Sequence, residues 1–315
     1  MLAPEPGRSN VVLEWSNVGL AFLFVSFNIL LSNTFGLGLG RLVLVSALRC
    51  ALQLAVVAVL LHRIFATDNP WVVAGIAFLL NNLAAFEIVV NRSTSRHQYM
   101  FPSVLIGMVG STIPISMVGI RFALSVQPFW EPIHYVPIVG MLCGSAISGI
   151  VLSVSHILKE LQENRDKVEV YLAFGATRME ACRPIAIDAL KVALTPVLNQ
   201  MSVVGLIAIP GTMTGAILGG ASVQQAAKLQ TIIMFMISSS TCLATLFTTF
   251  AVIAVAVDTE HRIRMDRIDC REHGIWRARE WIGKKLVWSV KKAACGWREK
   301  DIKMLSEHTP LLSGE

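Results

Sequence analysis

Charge is what this chain has least of. Only 15% of its 315 residues are Asp, Glu, Lys or Arg, where a soluble domain carries roughly a quarter. The shortage is uneven. Apolar residues make up 54% of the chain and gather in uncharged blocks long enough to span a bilayer, which excludes a soluble single-domain protein. Cysteine is sparse and scattered. Cys50, Cys143, Cys182, Cys242, Cys270 and Cys295 form no CxxC and no Cys/His spacing that suits zinc, so neither a disulfide framework nor a structural metal is expected. A G-x-x-x-x-G-K-S/T phosphate loop is missing as well. The chain therefore cannot cradle ATP in the usual way, and no cofactor is expected within it. The first ten residues, MLAPEPGRSN, have neither the basic start nor the small-residue cleavage site of a signal peptide, so the first apolar block reads as a retained span. Internal repeats and low-complexity runs are absent too.

What is present is a series of seven apolar blocks, at 15–33, 42–61, 71–90, 100–120, 135–155, 192–210 and 231–257, with Arg49 and Glu87 their only formal charges. The fold class that follows is all-α, a polytopic integral membrane protein of about seven transmembrane helices. Lysine and arginine in the short loops set its orientation. With the N-terminus outside, Arg41, Arg92, Arg96, Lys159, Arg165, Lys167, Arg178, Arg183 and Lys191 face the cytosol. Arg8, Arg63, Arg121 and Lys228 are then the ones left outside. An odd number of spans puts the tail, with 13 more basic residues, in the cytosol as well. The expected organisation is a short external segment (1–14), a permease-like membrane domain (15–257) with a cytosolic loop at 157–191, and a basic cytosolic tail (258–315), N-out and C-in.

That loop reads KELQENRDKVEVYLAFGATRMEACRPIAIDALK. Its chemistry predicts a helix, a sharp turn and a second short helix. Gly175 suits a left-handed position just past a helix end. Thr177 followed by Glu180 is a capping box. Pro184 is expected to stop the short helix or to start the next one. A short helix between two elbows is a rigid protrusion, suited to docking on a partner that pushes. Glu169, Gly175 and Ile185 follow the spacing E-x5-G-x9-I, which resembles the EAA loop that couples ABC importer permeases to their ATPases. Val170 and Tyr171 replace that loop's two alanines, and Asp188 stands where its proline would be. The bland alternative is an ordinary amphipathic hairpin.

Longer runs carry a closer resemblance. VYLAFGAT, VALTPVLNQMSVVGLIAIPGTMTGAILGG and KLQTIIMFMI, with Pro137–Met141 and Gly144 before them, resemble the FetB-type permease family of bacterial iron exporters and plant aluminium-tolerance permeases. Thr212 departs from the second methionine usual there, and the tail has no counterpart. The resemblance implies a transmembrane subunit that forms a homodimer and pairs with separate ATP-binding cassette subunits, with ATP held on that partner. It also implies that Glu169, Gly175, Thr177, Glu180 and Arg183 lie in the coupling segment.

Polar and helix-breaking residues at membrane depth are tolerated where they face protein or water. The block at 192–210 and its continuation hold Pro196, Asn199, Gln200, Met201, Gly205, Pro210, Met213 and Thr214. It reads as a kinked helix that lines a pathway with amide oxygens, a hydroxyl and soft sulfur, or as helix-to-helix glue. Glu87, with Arg92 one turn on, and Asn81 and Asn82 are further candidates for the pathway. Met occurs 12 times, mostly as packing, and which residues would hold a metal stays open. In the tail, 275–297 can be wound as a basic amphipathic helix that suits an anionic leaflet. Trp281 and Trp288 fall on its basic side and blur the pattern. Nucleic acid is not implied. Glu307 to Leu312 fits the acidic dileucine spacing of endosomal or vacuolar sorting, a six-residue pattern that also arises by chance. The leading reading is an ATP-driven permease for an iron-like metal ion or a small polar solute. A channel or secondary transporter without an ATPase is the alternative, and a membrane scaffold the third.

Overall fold

The computed structural model describes residues 14–65, 69–93, 96–97, 99–257 and 268–269, and these are almost wholly α-helical. The amphipathic run and the dileucine pattern of the tail lie outside the described residues. The chain divides into two compact units, Met1–Asp68 and Asn69–Glu315.

The first unit is a helical hairpin, α1 (Trp15–Thr34) packed on α2 (Gly40–Phe65). Its turn needs glycine, because Gly36 and Gly38 both take left-handed backbone at φ +65° and +69°. The Leu39 N–H donates to Ser32 Oγ at 2.9 Å and closes the turn. The hairpin's large apolar side chains, Leu23, Phe24, Leu52 and Leu54 among them, are exposed, a surface suited to hydrocarbon rather than water.

The second unit begins with α3 (Pro70–Glu87), which starts on an Asn69 cap and runs on into a π-helical turn at Ile88–Arg92. A two-residue strand, β1 (Arg96–His97), precedes α4 (Met100–Val118), which itself ends in a π-helical turn at Gly119–Ala123. The long α5 (Pro132–Glu163) is followed at once by the short α6 (Arg165–Ala173), and then by α7 (Arg178–Val203) and α8 (Gly211–Leu218). The last long helix, α9 (Val223–Ala256), sends the chain on to β2 (Ile268–Asp269), which pairs antiparallel with β1.

Helices α5 and α9 form the centre, with α4 and α7 against them. Leu142, Ala146, Ile150, Val154, Ile157 and Leu158 of α5 are fully buried, as are Ala244 and Val252 of α9. Close approach depends on small residues, as expected where lipid supplies no hydrophobic drive between helices. A Cβ on Gly149 would come within 2.7 Å of the Thr241 methyl and 2.9 Å of that of Thr245. Gly107 of α4 meets Thr248 Oγ1 in the same way, at 3.0 Å.

Among the described residues six helices are long and apolar enough to cross a membrane, namely α1 to α5 and α9. The remaining crossing differs from the expectation of one helix over 192–210. The helix starts at Arg178, on the capping box, and passes through both Pro184 and Pro196 before it ends at Val203. Pro184 therefore neither stops a helix nor starts one, and the second helix of the loop is not short. A proline costs one backbone hydrogen bond, and α7 tolerates two such losses along 26 residues. The break comes instead at 204–210. Gly205 turns left-handed at φ +88°, its N–H donates to the Ala208 carbonyl at 2.9 Å, and the Ala208 N–H returns to Val203 at 3.2 Å. With α7 lying along α5 and α9, the crossings number about seven.

Candidate functional site

The coupling loop is an elbow with both ends locked. Helix α5 closes at Asn164, whose side chain donates to Glu160 Oε2 at 2.6 Å, and α6 sets off from the same residue. At its other end α6 stops in a Schellman turn. The Gly175 N–H reaches the Leu172 carbonyl at 3.0 Å, and the Ala176 N–H reaches that of Tyr171 at 3.1 Å. Gly175 sits at φ +87°, the left-handed conformation read from the sequence. Two residues later the capping box is complete. Thr177 Oγ1 accepts from the Glu180 N–H at 3.4 Å, while Glu180 Oε2 accepts from the Thr177 N–H at 2.9 Å. The Thr177 N–H and the Thr177 hydroxyl, which also donates to Glu180 Oε2 at 2.7 Å, hold the Glu180 carboxyl below its ordinary value of 4.5. The segment from Glu169 to Arg183 is thus not a single helix but the end of α6, a four-residue turn and the start of α7.

Val168 and Leu172 bury one side of α6, which anchors it to the bundle. Its other side presents Val170, Tyr171 and Phe174, the last 87% exposed. Glu169 is tied to Arg165 at 2.6 Å on the surface, and Arg183 is exposed on α7. The apolar patch of Val170, Tyr171 and Phe174 was missed by motif reasoning, which stopped at the glycine and the cap. The signal was there, since apolar residues occur on both sides of so short a helix.

Behind α6 lies a notch of about 240 Å³. Val168, Ala181, Pro184 and Ile185 make its apolar floor, and Glu160, Asp188, Lys167 and Tyr171 stand around it. Arg178 Nη1 donates to the Ala254 carbonyl at 3.5 Å. The start of α7 therefore lies beside the end of α9, where the tail leaves.

The residues proposed for a pathway fall into separate groups. Asn199 and Gln200 are exposed on α7 and make no side-chain hydrogen bond among the described residues, and Met201 beside them is half-buried. The turn that follows bares Leu206, Ile207 and Ile209. On α8 Met213 is half-buried, and Thr214 donates to the Pro210 carbonyl at 3.2 Å. Thr212, the departure from the methionine pattern, donates to Gln230 Oε1 and fastens α8 to α9. Glu87 and Asn82 lie on α3, which packs on α4 and α5 instead. Glu87 accepts from Asn91 at 2.6 Å and meets Arg92 at 3.6 Å, one turn on. Asn82 donates to its own helix at Phe78.

Asn81 is different from its neighbour. It is fully buried, donates to the Ala77 carbonyl at 2.9 Å, and accepts from Thr112 at 2.8 Å and from the Cys143 thiol at 3.7 Å. It thereby joins α3, α4 and α5. Among the described residues no group of three or more His, Cys, Asp or Glu comes together to hold a metal ion.

The model of the family described as Uncharacterised protein family (UPF0014) matches residues 15–256. A UPF0014 membrane protein of Synechocystis is 30% identical over 244 residues, covering 77% of this chain and 93% of that protein. Protein ALUMINUM SENSITIVE 3 of Arabidopsis thaliana is 30% identical over 231 residues, 73% of this chain and 82% of its own. The Probable iron export permease protein FetB of Escherichia coli is 25% identical over 247 residues, 78% and 93% of the two chains. No solved structure matches.

Proposed function

Because this chain belongs to the UPF0014 family of membrane proteins, we propose that it is the permease subunit of an ATP-driven transporter. The observation that carries the reading is the elbow around α6, fixed by a Schellman turn on one side and a capping box on the other. A nine-residue helix so held transmits a push as a lever rather than absorbing it. The relative named as an iron export permease supports a metal ion or another small polar solute as cargo. The chain contributes no ATP site of its own, so hydrolysis belongs to a separate ATP-binding cassette subunit, which docks on Val170, Tyr171 and Phe174 and leaves the cargo path to a homodimer of this chain.

Alternating access then has a physical form. Movement of α6 reaches α7 through the four-residue turn 174–177, whose last residue the capping box ties to the start of the membrane helix. The far end of α7 carries Asn199, Gln200 and the broken turn, backbone that membranes tolerate only where it faces protein or a watery cavity. The orientation is N-out and C-in. It rests on the lysine and arginine of the short loops; the pairing of 96–97 with 268–269 puts those two segments on one side of the membrane in either orientation. Copurification tests the proposal: an ATP-binding cassette subunit should come down with the tagged chain from native membranes. A chain that transports in vesicles with no such subunit would contradict it and leave an independent channel or secondary transporter.

A further inference from the structure

Helix α9 carries a run of four hydroxyls, Ser238 to Thr241, of which Ser240 and Thr241 are fully buried. Among the described residues, Ser240 Oγ and Thr241 Oγ1 make no hydrogen bond. The hydroxyls further along α9 behave otherwise. Thr245 donates to the Thr241 carbonyl at 2.9 Å, Thr248 donates to that of Ala244 at 2.5 Å, and Thr249 pairs with Ser153. A buried hydroxyl without a partner is disfavoured, because it has given up water and gained nothing in return. Two of them side by side call for a cause.

Both lie at a level where two neighbouring helices carry a proline. Helix α4 runs antiparallel along α9, since Gly107 meets Thr248 and Gly119, twelve residues on, meets Met236, twelve residues back. Pro114 of α4 therefore falls opposite Thr241. Helix α7 is antiparallel too. Its Arg178 reaches Ala254, and its Ala193 carbonyl lies by Gly149, which the Thr241 methyl also approaches. Pro196 of α7, three residues on, comes to the level of Ser238. Each proline leaves one carbonyl of its own helix without an N–H, that of Gly110 in α4 and that of Val192 in α7. Both prolines are exposed, so each helix can bend there without driving a ring into its neighbour.

We propose that this level is a bending plane. The halves of α4 and α7 past Pro114 and Pro196, which lie at the same end of the bundle, swing against α9, and Ser240 and Thr241 gain hydrogen bonds in the conformation that results. Serine and threonine hydroxyls serve in this way in membrane helices, where they satisfy backbone groups that a proline frees. The conformation described here is then one of two, and the two hydroxyls tilt the balance towards the other. Helix α5 has no proline at this level and stays as the fixed wall, joined to α9 by Ser153 and Thr249. The proposal rests on the alternating-access reading above but not on the source of energy.

The test uses the full chain in lipid vesicles with no ATP-binding subunit, so that it holds or fails apart from copurification. Spin-labelled amino acids replace Val118 and Leu198, exposed residues past the two prolines. The distance between them is read by pulsed electron resonance, with unlabelled chain in excess so that only pairs within one chain count. Two distances are expected in the parent. Ser240→Ala with Thr241→Val should keep the distance that matches this structure and lose the other. In detergent the same variant should raise the midpoint of thermal unfolding by about 2–4 °C. Thr241→Val alone keeps the size of the side chain and should move both readouts the same way. Thr249→Val, which strands the Ser153 hydroxyl, should lower the midpoint instead. A single distance in the parent or an unchanged mixture in the variants would overturn the proposal. So would a lowered midpoint, as a water held between the two hydroxyls would give, or an equal rise from Thr249→Val.

Discussion

Polar groups occur at membrane depth in two places that look alike in the sequence and are opposite in the structure. Between α3, α4 and α5, Asn81 is fully buried and its amide is satisfied by Ala77, Thr112 and Cys143. A second interior pair, Ser153 with Thr249 at 2.7 Å, bridges α5 and α9. At the far end of α7, Asn199 and Gln200 are bare and have no hydrogen-bond partner among the described residues. An interior group that is buried and paired holds helices together. A group left unpaired on an apolar bundle is not explained by packing, and its amide is available to a cargo or to a second copy of the chain.

Three substitutions sharpen that contrast, and the largest effect belongs to the interior. Gly149→Leu has no room, because Thr241 and Thr245 already stand within 2.9 Å of the missing Cβ. Overpacking of this kind costs about 1–3 kcal/mol or more, read as a lowered midpoint of thermal unfolding in detergent and a loss of folded protein. Asn81→Leu removes the shared amide and leaves the Cys143 thiol without its acceptor. A loss of about 1–3 kcal/mol is expected by the same measurement, and a midpoint equal to that of the parent would show the node to be dispensable. Asn199→Ala should leave the midpoint within about 0.5 kcal/mol of the parent while transport in vesicles changes. Loss of folded protein on that change would move Asn199 into the packing class and erase the distinction.

The elbow offers a smaller effect, tied to pH. Glu180 is held in its charged form by the Thr177 N–H and hydroxyl. A carboxyl with a depressed folded-state pKa stabilises above its unfolded value, and that contribution is lost as pH falls through the lower folded one. The cap is therefore intact at neutral pH and loosens only on acidification below about 4.5. Hydrogen exchange at the amides of 179–181, corrected for its intrinsic pH dependence, should rise there, and should be raised at every pH in Glu180→Ala.

How much of this was legible in the sequence depended on how local the cause was. Gly175, Thr177 and Glu180 act within a stretch of six residues, and the turn and cap they predict are present. Six of the apolar blocks became long helices for the same reason, since span length and lack of charge are properties of the segment itself. The block at 192–210 was misjudged at both ends. Its start was hidden by Arg183, Asp188 and Lys191, which read as loop although the cap at Thr177 had already begun the helix. Its end came at Val203, before the left-handed turn at Gly205, rather than at Pro210, and Pro196 is absorbed within the helix. Asn81 and Asn82 mark the limit most clearly. They are adjacent and identical, and only the packing of α4 and α5 makes one a buried node and the other not.

The central claim is that the elbow couples this chain to an ATP-binding subunit, and Gly175→Val tests it most directly. Valine resists the φ of +87° that the Schellman turn requires, yet the position has open space around it and lies outside the bundle core. The variant should insert and fold like the parent. In vesicles containing the ATP-binding subunit, it should lose most of the stimulation of ATP hydrolysis that the parent gives, with transport falling in parallel and Glu180→Ala intermediate. A Gly175→Val chain that folds, transports and stimulates hydrolysis like the parent would contradict the account.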